Sequence, residues 1–486
     1  MGADLFSIGQ SSLKTSKKSL ETTSHNIANS NTEGFSRQRI TVSTNTPINE
    51  GAYVMGTGVN VQSVKRVHDG LIEKNLNRSL SQHKFNEERT FQLGRVEEIF
   101  NEINSDGLNK VLNRFFNTFR ELSNQPENEV VRAMVRDNAN LVVSDFHRID
   151  ESIEGVKKSV DAKIKGSVEE INSFTNSIAS LNKEIIRLDV TGGETGDLRD
   201  QRDNSIRNLA DFFKLTTYED EKGQYVVNIQ GVGSIVAGGV SNKLNAVSIS
   251  PKGSKGEGQM EIFFEGKPGS PVTNKFKQGS IEGMVKTRNN DIVELRKQVD
   301  TVAHGLVNAT NAIHRRGFAN KRVQIDQNGS PILRGNDKLT NINFFEGLSD
   351  TENAAEKISL SKDVLDDLNN ISTGLEANSP GDNRIAIAIS KLQHEKILGE
   401  GTSTFEESYL TSVGKIGLST AKSKIDTEQT SGILAQSKSI KERISGVSLD
   451  EETANMVKYQ HAYDASARMI KTADEMFDSV LGMMRR

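Results

Sequence analysis

Residues 449–484 read LDEETANMVKYQHAYDASARMIKTADEMFDSVLGMM, and within them Leu449, Met456, Tyr463, Ile470, Phe477 and Met484 recur at intervals of seven, supported by Tyr459, Ala467, Ala473 and Val480. A period of about 3.5 keeps one stripe facing a partner only where the helix supercoils around another helix. The opposite end of the chain offers the mate: Phe6, Leu13, Leu20 and Ile27 keep the same spacing, with small residues such as Gly9, Ser16, Thr23 and Ser24 between them. One patterned helix could lie on a globular surface, but two at opposite termini read as a pair. The expected inter-helix and assembly seam is therefore Phe6, Leu13, Leu20 and Ile27 with Leu449, Met456, Tyr463, Ile470 and Phe477.

Inward from these ends lies the longest helical signal. Phe146, Ile153, Val160, Phe174, Leu181 and Leu188 form one row, and Ile164, Ile171, Ile178 and Ile185 a second, with Ser167 the polar exception. A helix from 130 to 190 would span about 90 Å, far longer than an ordinary globular helix. Helical patches at 68–122 (Ile72, Leu76, Leu80; Val111, Leu112, Phe115, Phe116, Phe119) break at Gly107 and near Pro126. Further helices read at 281–315, through Ile292, Val299, Leu306 and Ile313, and at 403–445, which includes Ile433 and Ile440. Between them, 214–278 changes character: turns such as Asp220 to Gly223 separate short runs like Tyr225 to Ile229 and Met260 to Phe264, a small β unit. The segment 318–375, with Asp326, Asn328, Gly329 and Pro331 as turn signals before Asn343, Phe344 and Phe345, reads as loops and short strands. The fold class is mainly α with small β inserts.

Composition narrows the function. Lys and Arg number 61 against 65 Asp and Glu, a net charge of −4 with the signs interspersed, which gives no footprint for nucleic acid. Hydrophobic residues reach only 34%, suiting elongated helices with narrow seams. The absence of cysteine excludes disulfides, thiolate catalysis and Cys-ligated metals. No run of about twenty apolar residues predicts membrane insertion, and the first thirty residues do not read as a cleavable secretory signal. Such a chain is expected in the cytoplasm unless it leaves by a route that reads an uncleaved N-terminus.

Chemistry is sought and not found. The histidines His25, His68, His83, His147, His304, His314, His394 and His461 are scattered without the spacing that helical metal ligation needs. Gly56-Thr57-Gly58 and Gly231-Val232-Gly233 lack the continuation of a nucleotide loop and read as turns. Adjacent acids such as Glu97 and Glu98, or Glu451 and Glu452, point about 100° apart on a helix and cannot share a substrate. No catalytic, cofactor-binding or metal residue is assigned, and no cofactor is expected.

The run Ser24-His25-Asn26-Ile27-Ala28-Asn29-Ser30-Asn31-Thr32-Glu33-Gly34-Phe35-Ser36-Arg37 follows the first heptad helix. It resembles the N-terminal signature of bacterial flagellar rod, hook and hook-associated proteins. Its Asn26, Asn29, Asn31 and Gly34 are assigned as the family's motif turn, with Asn29, Asn31 and Gly34 able to take left-handed backbone and end the helix. Gly58-Val59-Asn60-Val61 before Arg66 and Asp69, Leu198-Arg199-Asp200-Gln201-Arg202-Asp203, Pro380-Gly381-Asp382-Asn383 and Ser445-Gly446-Val447-Ser448-Leu449-Asp450-Glu451-Glu452 resemble the hook-associated branch of that family. One departure is Arg199, where the family more often carries aspartate.

The resemblance implies a nested architecture. Residues 1–35 and 446–486 would form a terminal coiled-coil inner domain, 36–213 and 279–445 a helical rod domain containing the irregular segment 318–375, and 214–278 a small β insert domain. It further implies a structural, non-enzymatic subunit of the flagellum that joins hook to filament. The implied partners are further copies of itself in a ring or helical assembly, the hook protein, a second hook-associated junction protein, and an export chaperone on the C-terminal helix. Neither nucleic acid nor membrane insertion is expected. Export through the flagellar type III channel would place the protein in the flagellum outside the cell, or in the periplasm of a spirochete. Two rivals remain at this point: another axial protein such as the hook protein, whose middle is mainly β, and a cytoplasmic coiled-coil enzyme or signalling protein.

Overall fold

The computed structural model describes residues 2–50, 53–100, 107–220, 224–249, 258–267, 269–322, 324–325, 331–332 and 338–484. In chain order the elements are α1 (Gly2–Ala28), β1 (Gln38–Thr44), β2 (Ile48–Glu50), β3 (Tyr53–Met55), β4 (Val59–Arg66), α2 (Gly70–Ile99), α3 (Leu108–Asn124), α4 (Glu129–Val190) and α5 (Gly196–Ala210). They continue with β5 (Leu215–Glu219), β6 (Tyr225–Ile229), β7 (Gly233–Ala237), β8 (Val240–Ser241), β9 (Leu244–Ile249), β10 (Gln259–Phe264), α6 (Gly279–Lys286), α7 (Ile292–His314), β11 (Gln324–Ile325) and β12 (Pro331–Ile332). The last are α8 (Ala354–Lys357), α9 (Lys362–Asp366), α10 (Arg384–Lys391), α11 (Phe405–Ser445) and α12 (Leu449–Met484). The molecule is mainly helical with small antiparallel sheets, as its hydrophobic periodicity predicts.

The long helix is real: α4 runs for 62 residues. The Asn128 carboxamide accepts from the Val130 backbone N–H at 3.0 Å and starts it. Gly192, at a φ of +72°, and the Gly193 N–H, bonded to the Leu188 carbonyl at 2.9 Å, end it. Phe146, Ile153, Val160, Ile164, Ile171, Ile178 and Ile185 are all buried along its length. Phe174, Leu181 and Leu188 are half-buried. α3, α5 and α7 pack along this stripe.

An aromatic-rich core lies where α3, the N-terminal half of α4, α7 and the chain around Asn343 meet. Phe115 touches Phe116 and Phe119 with ring centroids 5.2 Å away in each case, and Phe344 stands 4.9 Å from Phe345 edge to face. Phe405, opening α11, stacks on Phe116. His314 completes this core fully buried: its Nδ1–H donates to the Ile342 carbonyl at 2.8 Å and its Nε2 accepts from the Ser372 N–H at 2.9 Å. Burial holds this imidazole neutral, pulling its pKa down to about 4.

α2 and α11 run antiparallel beside this core on a different principle. Thr90 bonds Ser423 at 2.8 Å and Ser79 bonds Ser437 at 3.0 Å, so hydroxyls carry the contact. Leu434 is the buried aliphatic of the C-terminal half, while Ile433 is exposed and Ile440 half-buried.

β5 to β8 form one antiparallel sheet in sequential order, and β9 and β10 a hairpin packed on α4. The β1–β4 and β2–β3 ribbons lie near the start of the chain. The stretch 318–375 holds less strand than expected: among the described residues it contains the two-residue pair β11–β12, the short helices α8 and α9, and single bridges such as Phe318 to Gly374. Gly223, Asp326, Asn328 and Gly329, read above as turn signals, and the Met484 side chain lie outside the described residues.

Candidate functional site: the terminal helix pair and its joint

α1 and α12 lie side by side and antiparallel, although nearly the whole chain separates them. Asn26 bonds Glu452, the Ser12 and Ser466 hydroxyls meet at 2.8 Å, and Gly9 faces Ile470. A Cβ on Gly9 would sit 2.8 Å from Ile470 Cγ1, so only glycine permits this approach.

The residues at the centre of the contact are small or polar. Gly9, Ser16, Ser19, Thr23 and Asn26 are buried on α1, and Glu452, Ser466 and Ala473 on α12. The apolar set read from the sequence lies one position to the side. Leu13, Leu20 and Ile27 are half-buried, as are Met456, Tyr463 and Ile470, while Phe6, Leu449 and Phe477 are 41%, 50% and 39% exposed. These side chains flank the seam and leave a partly uncovered apolar margin, continued by Leu5, Val457, Met476, Val480 and Leu481.

At the body end of the pair the chain turns through 29–37. Gly34 takes a φ of +84°, and a side chain there would run into the Arg207 guanidinium. Neither Asn29 nor Asn31 adopts left-handed backbone, contrary to the expectation from residue type. Asn29 acts through its carboxamide instead: Nδ2 donates to the His25 carbonyl at 3.0 Å, closing the last turn of α1. Asn31 is exposed.

Asn26, fully buried, ties three elements. Its Oδ1 accepts from the Gln38 N–H at 2.8 Å, and its Nδ2 donates to the Gln38 carbonyl at 2.9 Å and to Glu452 at 3.1 Å. Arg39 donates to the other Glu452 oxygen at 2.6 Å, and Arg37 pairs with Glu451 at 3.0 Å. A second knot adjoins the first. The Asp200 carboxylate accepts from the Ser36 N–H and from Arg66, both at 2.8 Å, and Arg66 also reaches Asp203 at 2.6 Å. Burial pulls the Arg66 guanidinium down, but the Asp203 and Asp200 charges more than offset it and leave its pKa raised. Arg202 lies over the Tyr225 ring at 3.7 Å and carries the network into the β5–β8 sheet.

Four of the five motif stretches thus converge on one joint: 24–37, the end of β4 at Arg66, 198–203 in α5, and 445–452 opening α12. The fifth does not. Asn383 bonds the Ser123 carbonyl at 2.7 Å, tying α10 to the end of α3 within the body. Gln38, Arg39 and Glu452 went unassigned because their roles are set by neighbours distant in sequence. Among the described residues no group of three or more His, Asp or Glu side chains could hold a metal ion, and no helix is long and apolar enough to cross a membrane.

Fold and joint together define a class: an elongated helical subunit whose two ends are bolted to each other and then to its body. Comparison with known proteins agrees. Residues 93–331 match the model described as the flagellar hook-associated protein FlgK helical domain, residues 6–35 the flagella basal body rod protein, and residues 443–483 the flagellar basal body rod FlgEFG protein C-terminal region. Flagellar hook-associated protein 1 of Bacillus subtilis (strain 168) is 27% identical over 506 residues, covering 97% of this chain and 96% of that protein. The protein of the same name from Escherichia coli (strain K12) is 25% identical over 550 residues, covering 99% and 100%. The solved structure of the flagellar hook junction protein FlgK from Burkholderia pseudomallei shares the fold, with a TM-score of 0.62 at 15% identity over 76% of this chain and 100% of that one. The chain is thus similar over nearly its whole length to flagellar hook-associated protein 1, with flagellar family models matching both ends and the middle.

Proposed function

We propose that this chain is a structural subunit of the bacterial flagellum that joins the hook to the filament and supports filament assembly. The observation that carries this reading is the terminal pair: two helices from opposite ends of the chain, in contact through small residues, with an apolar margin left uncovered. A surface of this kind is completed by another subunit. Neighbouring copies of the chain cover it in a ring or helical assembly, and the hook protein and a second hook-associated junction protein adjoin that assembly on either side.

Before assembly the same margin on α12 suits an export chaperone that binds an amphipathic helix in a groove. The route is type III export, and the destination is the flagellum outside the cell, or the periplasm in a spirochete. The role is architectural, with no catalytic step. Immunogold labelling of intact flagella tests the placement: gold confined to the hook–filament boundary is expected. Label along the hook, or retention of the protein in the cytoplasm of a filament-defective strain, would overturn it. Replacing Met456, Ile470 and Phe477 with serine is expected to abolish chaperone co-purification and motility; wild-type levels of both would count against the assigned surface.

A further inference from the structure

The seam between α1 and α12 specifies its own register weakly. Its central positions are Gly9, Ser12, Ser16, Ser19 and Thr23 against Ala462, Ser466 and Ala473, so sliding one helix by a heptad again sets small residues against small ones. In the observed register Asn26 faces Glu452, Ser12 faces Ser466 and Gly9 faces Ile470. Carried on at the same pitch, this pairing brings the start of α1 level with Met476 and Phe477. Among the described residues, the last two turns of α12 extend past the start of α1, with Val480, Leu481 and Met483 exposed.

The inward row of α12 continues into this overhang: buried Glu452, half-buried Tyr459 and buried Ser466 and Ala473 are followed at the same interval by Val480. A slip of α12 by one heptad toward the body would set Ala473 opposite Ser12 and bring Val480 to the place Ala473 now holds. Apolar side chains that now face water would be covered, so burial alone favours the slipped state.

Within the buried row one carboxylate opposes the slip, beside the more exposed Arg37–Glu451 pair at the same end of α12. Glu452 is fully buried, and its oxygens are taken by Arg39 at 2.6 Å and Asn26 at 3.1 Å. Arg39 belongs to β1, and Asn26 is itself held on both sides by the backbone of Gln38 in that strand. No other member of the α12 row is charged, so only the observed register gives this buried charge its partners. After a slip, Tyr459 stands opposite Asn26, and Glu452 and Arg39 are parted. Parting a fully buried carboxylate from its partners is strongly unfavourable, and a single buried polar group is a known means of fixing helix register.

We propose that Glu452 is the register pin of the terminal pair, a positioning residue that holds α12 extended past α1 and keeps its apolar tip uncovered. That the tip then meets a neighbouring subunit rests on the function proposed above; the pinning of the register does not.

The chain has no cysteine, so introduced pairs report without background. In the full-length protein, Ser12→Cys with Ser466→Cys reads the observed register, and Ser12→Cys with Ala473→Cys reads the slipped one. In the observed register the second pair is about 10 Å out of step along the axis, beyond the Cα separation of about 4.4–6.8 Å that a disulfide spans. With Glu452 present, mild oxidation is expected to form the first cross-link and not the second. Adding Glu452→Ala is expected to raise the second at least tenfold. Glu452→Gln, which keeps a hydrogen-bonding group for Asn26 but loses the charge facing Arg39, should fall between. The proposal is overturned if Glu452→Ala leaves only the first cross-link, if it removes both so that the helices part instead of sliding, or if the second forms equally well with Glu452 in place. A pinned register together with failed labelling at the hook–filament boundary would remove the assembly role and leave the pin standing.

Discussion

Around Phe115 the body closes on aromatic rings, with Phe116, Phe119, Phe344 and Phe345 buried and in contact. Between α1 and α12 the contact is made by Gly9 against Ile470 and by a pair of serine hydroxyls. Both regions are helical, and the difference lies in what each buries. The body removes large apolar side chains from water and stands on its own. The terminal pair removes mostly small and polar ones, and owes its position to the ion pairs and hydrogen bonds of the joint. Helical structure by itself contributes little free energy without an apolar face to bury, so the two regions should differ sharply in stability while sharing one secondary structure.

The first way to break that contrast is to truncate one apolar residue in each region. Phe344→Ala should cost about 3–5 kcal/mol by the usual penalty for emptying an aromatic core site. Ile470→Ala, at a half-buried position, should leave the urea midpoint of the body unchanged. Comparable losses from the two variants, read by denaturation, would abolish the distinction.

A pH titration sharpens it further, because a fully buried imidazole belongs to the body. His314 is neutral in the folded state down to about pH 4, whereas in the unfolded chain it takes up a proton near its ordinary value of about 6.5. Between these values the unfolded state binds more protons, so stability falls as pH is lowered. The loss from pH 7 to pH 5 is about 2 kcal/mol. The Asp211 carboxyl, which burial raises to about 6, works in the opposite direction over the acid side of this range. Comparison with His314→Gln isolates the histidine. The variant's melting temperature should fall less between pH 7 and 5 than the wild type's, and parallel curves would contradict the assignment.

The smallest effect on global stability is expected from Gly9→Leu. A side chain there meets Ile470 and pries the helices apart. The body's unfolding midpoint should not move, while protease cleavage within the first and last thirty or so residues should become faster. A shifted midpoint would mean that the pair and the body melt as one unit.

Legibility in the sequence followed the same divide. Where apolar residues carry the packing, periodicity located the elements closely: the expected 130–190 helix is Glu129–Val190, and the breaks at Gly107 and near Pro126 separate α2, α3 and α4. The pairing of the two ends also follows from their heptads. Which residues touch does not, because a hydrophobic stripe marks the flank of this seam while Gly9, Ser16 and Thr23 fill its centre. The same holds for α11, whose contact with α2 is made by hydroxyls while its Ile433 is exposed. The joint was the least legible part. The motif stretches stand out only as a string, and Glu452 reads as one of two adjacent acids that share no substrate; its burial depends on Asn26 and Arg39, more than 400 positions earlier. Left-handed backbone, expected at Asn29, Asn31 and Gly34, occurs at Gly34 alone, since the Asn29 side chain closes the helix without it.

The central claim is that the two ends of the chain lie together yet are held more weakly than the body until something outside the subunit covers them. Amide hydrogen exchange of the isolated full-length chain reads this directly. The account predicts that residues 5–20 and 460–480 exchange orders of magnitude faster than residues 142–171 of α4, and that protection rises toward the joint at Asn26 and Glu452. Equal protection of the termini and of α4 in the isolated chain would contradict it.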